Sequence, residues 1–472
     1  MKIIKIGPIS EFRGVIMANK NEVPVRKNQV LTGTVMDLTY QAMGVVKVDE
    51  GYPIFISNAL PGEEIKYLVT KANKNYGFGR LLEFIKTSPD RVSQENSVYL
   101  QTGIAPLAHL AYPAQLKFKQ EQIESLFQKE KLPLTVQPTL AAPEATHYRN
   151  KAQIPVRMIE GQLETGFYRQ RSHQLLPLTD FLIQDPKIDA TVKKIRDILR
   201  AFHVPAYNEE HNSGVIRHIM VRRARKTRQQ MVVLVTRQRH LPQEDAIVQA
   251  ISELPEVSSI IINYNPKVTN VILGMQERPV FGNAYLEDEL LGKRFRISAQ
   301  SFYQVNAEQT ENLYQQAIEQ ADLQPDEVVV DAYSGIGTIG ISIADHVKQV
   351  RELEIVPEAI ADAKINAELN HVKNIDFTVG KAEEILPEWV EKGQKFDVLI
   401  VDPPRKGLQP EFIEAVLKAR PKKLVYISCN PATLARDLRL LIDGGYHGTT
   451  MQPVDMFPMS NHIESVTALE LD

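Results

Sequence analysis

Cysteine occurs once in the 472 residues of this chain, at Cys429. That scarcity excludes an intramolecular disulfide framework and any metal or iron–sulfur site made of cysteines alone, and it points to a reducing cytoplasm. Long apolar runs are absent too. No stretch is long enough to cross a bilayer, and no charged-then-apolar leader opens the chain. Neither sign of charge dominates: 55 basic against 58 acidic residues leave a net charge of −3, so affinity for a polyanion has to reside on a local face. Internal repeats and low-complexity segments are missing as well. With 43% hydrophobic and 24% charged residues, the chain describes an ordinary globular protein of about three domains.

Residues 1–20 read as an arm or a misassigned start, because Met17 is followed by the polar, basic Ala18-Asn19-Lys20. Between residues 21 and 87, five short strand-like runs (29–34, 44–48, 52–56, 64–69 and 79–84) alternate with turn residues, the pattern of a small OB-like barrel. Tyr76, Phe78 and Arg80 lie beside Lys71 and Lys74, which suits a nucleic-acid face; a plain barrel with solvated lysines fits equally well. Residues 88–296 look α+β, with helical spacing over 111–129, a helix that could pack on the domain that follows. They hold the densest basic run of the chain: Arg217, His218, Arg222, Arg223, Arg225, Lys226, Arg228, Arg237 and Arg239. Against an acidic background, that run predicts a phosphate-binding surface.

From Glu327 onward, buried strands alternate with helices, as in a parallel α/β sheet. A strand ending at Asp331 leads into Ala332-Tyr333-Ser334-Gly335-Ile336-Gly337-Thr338-Ile339-Gly340, a G-x-G-x-x-G turn between strand and helix. Glu354 follows Gly335 by 19 positions, at the end of the next strand, where a carboxylate accepts hydrogen bonds from a ribose diol. This fingerprint selects a cofactor containing adenosine and fits NAD(P) and S-adenosylmethionine alike. A further strand closes in Asp402-Pro403-Pro404-Arg405-Lys406-Gly407. Nicotinamide chemistry has no use for that carboxylate, whereas Asp-Pro-Pro loops are shared among methyltransferases that act on nucleic-acid bases.

The apolar run before Cys429 is a strand, and Asn430-Pro431 then reads as an N-cap and the first helical position. A helix dipole there favours a thiolate, although a small buried hydrophobe is the plainer reading of a lone cysteine. Tyr333, Glu354, Asp402 and Cys429 therefore all fall at the C-terminal ends of strands, where open α/β sheets bind ligands. Glu464, in His462-Ile463-Glu464, is placed to take a proton. Phe302-Tyr303-Gln304 offers an aromatic–amide pair for a planar ligand.

Together, Phe302-Tyr303-Gln304-Val305-Asn306, Asp331 to Gly337, Glu354-Ile355, Asp402 to Gly407, Ser428-Cys429-Asn430-Pro431 and His462-Ile463-Glu464 resemble the RNA uracil-C5 methyltransferases that use S-adenosylmethionine. The resemblance covers nearly the whole chain. It implies an OB-like TRAM barrel at residues 21–87, an α+β RNA-binding domain at 88–296 and a Rossmann-like class I methyltransferase domain at 297–472. It further implies Gln304, Tyr333, Gly335, Glu354 and Asp402 around S-adenosylmethionine or the uracil, Cys429 as nucleophile and Glu464 as proton acceptor. Phe302 and Arg405 would lie near the target nucleotide, with Arg222 and Arg223 of the basic run as further RNA contacts. Asp402 faces the base or the methionine end of the cofactor; both remain open.

Within the family a TRAM domain accompanies the 23S ribosomal RNA enzymes rather than the transfer-RNA enzyme, so the implied product is 5-methyluridine in 23S ribosomal RNA, formed by a cytoplasmic monomer. Transfer RNA is the alternative. Many relatives hold a four-cysteine iron–sulfur cluster. Here its place reads Thr102-Gly103-Ile104-Ala105-Pro106-Leu107-Ala108-His109, with Phe181 where another cysteine would fall, so no cluster is expected. Cytosine-C5 methylation commonly brings a second cysteine, absent here. An NAD(P) oxidoreductase explains neither Cys429 nor Asp-Pro-Pro. A non-catalytic RNA assembly factor has no reason to keep nucleophile, base and cofactor acid together.

Overall fold

The computed structural model describes residues 23–93, 98–170 and 172–471; the expected arm at 1–20 lies outside them. The chain divides into two units, residues 1–91 and 92–472.

In the first unit, strands Val30–Leu38, Met43–Val48, Tyr52–Ser57, Glu64–Ala72 and Gly77–Lys86 close into a barrel. All five expected strands are present, each longer than the sequence signals. Alternation sets their inner faces: Tyr52, Ile54 and Ile56 on one strand and Ile65, Tyr67 and Val69 on another fill the interior. Closure comes from the parallel pairing of Ile54–Ile56 with Gly77–Gly79. The buried Glu63 carboxylate receives Leu60 N at 2.8 Å and pairs with Arg91, which ties the end of the unit down. Outside, Phe55, Tyr76 and Phe78 cluster with ring centroids 5.7–5.9 Å apart.

The second unit contains two large sheets. Seven strands, in the order Gln276–Gly282, Val257–Tyr264, Gln230–Thr236, Ile216–Arg223, Lys151–Ile159, Gln162–Tyr168 and Leu175–Pro177, form the first. Helices Pro186–Ala201 and Glu244–Ser252 pack Ile188, Val192, Ile195, Ile247 and Ile251 onto one face. Asp185 and Pro186 start the former helix, the Asp185 carboxylate accepting from Lys187 N at 2.7 Å. On the other face, Met220, Met231, Val233 and Ile261 pack with Leu286 and Ala299. Covered on both sides, the strand Gln230–Thr236 is buried throughout.

The second sheet has eight strands in the order Ile375–Val379, Gln349–Glu354, Val328–Ala332, Val398–Val401, Lys423–Ser428, Glu464–Glu470, Thr450–Val454 and Thr135–Val136. The first five are parallel, and Glu464–Glu470 returns antiparallel. The helices between these strands cover both faces with two apolar clusters.

The expected boundary at 296/297 is not a seam. It cuts through the strand Lys293–Ser298 of a hairpin, and the segment before it lends Thr135–Val136 to the edge of the second sheet. Helix Tyr112–Lys129 buries Ile123 and Phe127 in the core of that sheet. Lys119 on the same helix is fully buried and donates to Asp455 Oδ1 at 2.6 Å. Around the stretch from Thr102 to His109, Tyr99, Ala105, Ala108 and Ile183 form a small apolar cluster with Met459 against it. Phe181 packs edge-on against Phe167.

Candidate active site

A cavity of about 640 Å³ opens at the carboxyl ends of the parallel strands, where the order reverses between Val328–Ala332 and Val398–Val401. Its wall contains Phe302, Gln304, Tyr333, Gly335, Glu354, Asp402, Arg405, Cys429 and Glu464. Nine residues drawn from six separate stretches of sequence thus converge on one space.

The glycine turn forms one side. Gly335 sits at φ +58°, and no atom lies within 4 Å of where a Cβ would stand, so the backbone is bare toward the cavity. Tyr333 is also left-handed, at φ +68°, a conformation that a bulky side chain adopts only when its surroundings impose it. Here they do. Tyr333 N donates to Leu353 O at 2.8 Å, and the ring packs 5.8 Å from that of Phe412. The Glu354 carboxylate is held at its strand end by Gly335 N (3.0 Å) and Val356 N (2.9 Å). Beneath the loop, Asp331 Oδ2 accepts from Gly340 N at 2.9 Å.

Opposite lie the thiol and two carboxyl groups. Cys429 directly follows the strand Lys423–Ser428, and Asn430 caps helix Pro431–Asp443 by accepting from Ala432 N at 3.2 Å. Geometry is as the sequence predicts; protonation is not. Burial, then the charges of Glu464 and Asp402, push the Cys429 thiol up to about 12, against which Arg405 pulls. Desolvation and two nearby carboxyl groups act together on the sulfur. Burial also pushes Asp402 up to about 7. Burial and then Asp402 hold Glu464 well above the usual carboxylate range, with Arg405 opposing.

The donor set fits S-adenosylmethionine and not a dinucleotide. Glu354 can hold a ribose diol beside the bare Gly335 backbone, with Tyr333, Ile355 and Ala382 as apolar wall. Glu354, Asp402 and Glu464 in one space favour a cationic ligand, which would draw Asp402 and Glu464 toward their charged forms.

The segment before the glycine turn is held from behind. Asn150 Nδ2 donates to Gln304 O at 3.1 Å, and Arg222 donates to Ser298 O and Ser301 O, each at 2.8 Å. This corrects the expectation for the basic run. Arg222 is buried and its guanidinium fixes the backbone that presents Phe302 and Gln304. Arg223 is spent on Glu256 (2.7 Å) and Asp185 (2.9 Å), and Arg225 on Glu308 and Glu311. Arg217 is buried on carbonyl oxygens. The strand Ile216–Arg223 lies inside a sheet covered on both faces, so its cations are structural; Lys226, Arg228 and Arg239 stay exposed.

Tyr314, Phe457, His462 and the stretch from Gly380 to Glu383 also line the cavity and were not singled out as site residues. Gly380 follows the strand Ile375–Val379, so the strand-end rule applied once more finds that stretch. His462 Nε2 lies 3.4 Å from Arg405 Nη2.

Residues 111–471 match the family model described as tRNA (Uracil-5-)-methyltransferase, and residues 24–82 match the TRAM domain. The chain belongs to the tRNA (uracil-5-)-methyltransferase family. A protein of Lactiplantibacillus plantarum described as an uncharacterized RNA methyltransferase is 54% identical, covering 96% of this chain and 99% of that one. One so described from Enterococcus faecalis is 50% identical, with 94% and 98% covered. Among solved structures, Pyrococcus abyssi tRNA (uracil-54, C5)-methyltransferase in complex with S-adenosyl-L-homocysteine shares the fold, with a TM-score of 0.77 at 24% identity, covering 93% of this chain and 99% of that one. As a family member, this protein is an RNA (uracil-5-)-methyltransferase dependent on S-adenosylmethionine, built from a TRAM barrel and a class I methyltransferase fold. Among the described residues, no helix is long and apolar enough to cross a membrane.

Proposed function

We propose that the protein forms 5-methyluridine in 23S ribosomal RNA, with Cys429 as nucleophile and Glu464 as proton acceptor, acting as a cytoplasmic monomer. One observation carries the chemistry: the thiol, Glu464, Asp402 and Arg405 share a single cavity with the adenosine-type cradle around Gly335 and Glu354.

C5 of uracil is a weak nucleophile until C6 is attacked. Cys429 gives up its proton to solvent, and the resulting thiolate adds to C6 as the C5–C6 electron pair moves toward O4 to give an enolate. Asp402, held near neutrality, can carry a proton and donate it in a hydrogen bond to that oxygen. Bound S-adenosylmethionine would place a positive sulfonium among the carboxylates and supply the methyl group that C5 takes, its sulfur left as a neutral thioether. Glu464 then accepts the C5 proton, the C6–S bond breaks, and the thiolate leaves with C5–C6 unsaturation restored. Arg405, at the cavity mouth, serves the phosphate side of the target nucleotide and steadies the Cys429 anion. To enter, the uridine has to be extruded from any stack. Phe302, exposed at the rim, offers a ring for it to slide across.

The TRAM barrel supports ribosomal RNA through the resemblance noted above. A second reading, transfer RNA, is supported by the family's description and by the archaeal transfer-RNA enzyme that shares the fold. Methyl transfer to unmodified 23S ribosomal RNA and to transfer RNA, followed by nucleoside mass spectrometry and mapping, separates the two. 5-Methyluridine in the ribosomal RNA alone is expected. Its appearance only in transfer RNA would keep the mechanism and overturn the substrate.

A further inference from the structure

Away from the chemistry, residues 265–275 form a loop between the strands Val257–Tyr264 and Gln276–Gly282 whose main chain is tied inward by buried polar side chains. Arg217 donates to the carbonyl oxygens of Asn265 (2.8 Å), Lys267 (2.6 Å) and Thr269 (3.2 Å). Asn265 Nδ2 donates to Val271 O (2.8 Å) and Ile272 O (3.0 Å). Asn263 accepts from Gly274 N at 2.7 Å and donates to Gly274 O at 3.0 Å. Gly274 presses so close that a Cβ would stand 1.9 Å from Tyr264 O. Ile272 and Leu273 pack inward.

On this fixed frame, Val268, Val271 and Met275 project outward, 71%, 64% and 81% exposed. Single exposed apolar residues need no explanation, but three on one preorganised loop do. Its position indicates the partner. Glu277, just past the loop, accepts from Gln300 Nε2 at 3.2 Å, two residues before Phe302 on the cavity wall, itself 66% exposed. Lys267 on the loop and Arg239, which lies 5.2 Å over the Tyr264 ring, add exposed cations. Apolar tips flanked by cations, next to a cavity that has to receive one extruded nucleotide, match the faces and phosphates of an opened RNA strand.

We propose that Val268, Val271 and Met275 form a docking surface for the unstacked bases that flank the target uridine, holding the strand open while that uridine occupies the cavity. The proposal rests on the RNA-methylation reading above. In the full-length protein, Val271→Ser combined with Met275→Ser should raise KM for the RNA that the wild type methylates by about tenfold, equivalent to one lost stacking contact. The kcat at saturating RNA, S-adenosylmethionine affinity and melting temperature should not move, and Met275→Leu alone should behave as wild type. Dimethyl sulfate probing should find bases beside the methylated uridine altered in reactivity by the wild type and not by the double variant. Unchanged KM and unchanged probing would overturn the proposal. So would unchanged RNA kinetics with an altered sedimentation coefficient, which would assign the surface to a protein contact. Failure of the wild type to methylate any RNA would strike instead at the underlying reading.

Discussion

Cys429 and Glu464 follow directly on the last paired rung of one antiparallel ladder, in which Ser428 faces Ser465. Residues opposite each other in such a ladder direct their side chains to the same face. The register therefore delivers a thiol and a carboxyl group, 35 positions apart in sequence, to the same wall of the cavity. A slip of one residue would send one of them to the other face.

Division of labour between them is testable by substitution. Cys429→Ala should abolish methyl transfer while S-adenosylmethionine binding, measured by calorimetry, stays at the wild-type value. Loss of cofactor binding would mean that Cys429 serves the cradle and not the uracil.

Glu464→Gln should act later in the cycle. Turnover should fall by about 10²- to 10⁴-fold, the usual worth of a general base. Because C6–S cleavage waits for removal of the C5 proton, a denaturation-resistant complex with ordinary RNA should accumulate on gels. Equal loss of turnover without that complex would place Glu464 before bond formation.

The thiol's protonation gives a pH signature. Burial, Glu464 and Asp402 all raise it, so Cys429 in the cofactor-free protein should alkylate slowly with iodoacetamide at neutral pH and faster as pH rises toward 12. Glu464→Gln removes one of the opposing charges and should move that profile to lower pH. An unshifted profile would show that the carboxylate does not act on the sulfur.

Asp402 links function to stability. Its folded value, about 7, lies above the ordinary aspartate value of 3.8, so the folded state binds the extra proton. That contribution is fully present below about pH 4 and is lost as pH rises through about 7. Asp402→Asn should therefore flatten the fall in melting temperature of the cofactor-free protein over this window, raise it at pH 8 and impair methyl transfer. An identical pH slope in both proteins would remove the assignment.

Lys119 and Asp455 are both fully buried. Lys119→Ala leaves the Asp455 charge without its ion partner and should cost about 3–5 kcal/mol by urea denaturation, while Lys119→Met, which keeps the apolar stem, should show whether packing or charge dominates. A loss under 1 kcal/mol for the alanine variant would mean that Asp455 is neutralised in another way.

The strand ends were legible because buried parallel strands are short apolar runs with abrupt polar stops, which placed Tyr333, Glu354, Asp402 and Cys429 without three-dimensional information. Gly335 and Glu354 were legible from their spacing. Arg222 and Arg223 were misread because a charge run does not reveal that its strand is covered on both faces, nor that Ser298, Ser301, Asp185 and Glu256 will come to meet it. Only part of what acts on the Cys429 proton is legible in the sequence, for a related reason. The helix dipole is local in sequence, whereas Glu464 and Asp402 reach the sulfur only through the sheet. The boundary at 296 failed because Thr135–Val136 pairs with Thr450–Met451, a partner more than 300 positions away.

RNA carrying 5-fluorouridine at the methylated position offers the most direct measurement. Fluorine at C5 cannot leave as a cation, so the reaction should stop after methyl transfer with Cys429 bound to C6. Mass spectrometry of the digested complex should find a methylated fluorouracil adduct on the peptide containing Cys429, dependent on S-adenosylmethionine and absent from Cys429→Ala. No adduct in the wild type, or an adduct that survives in Cys429→Ala, would contradict covalent catalysis by this cysteine.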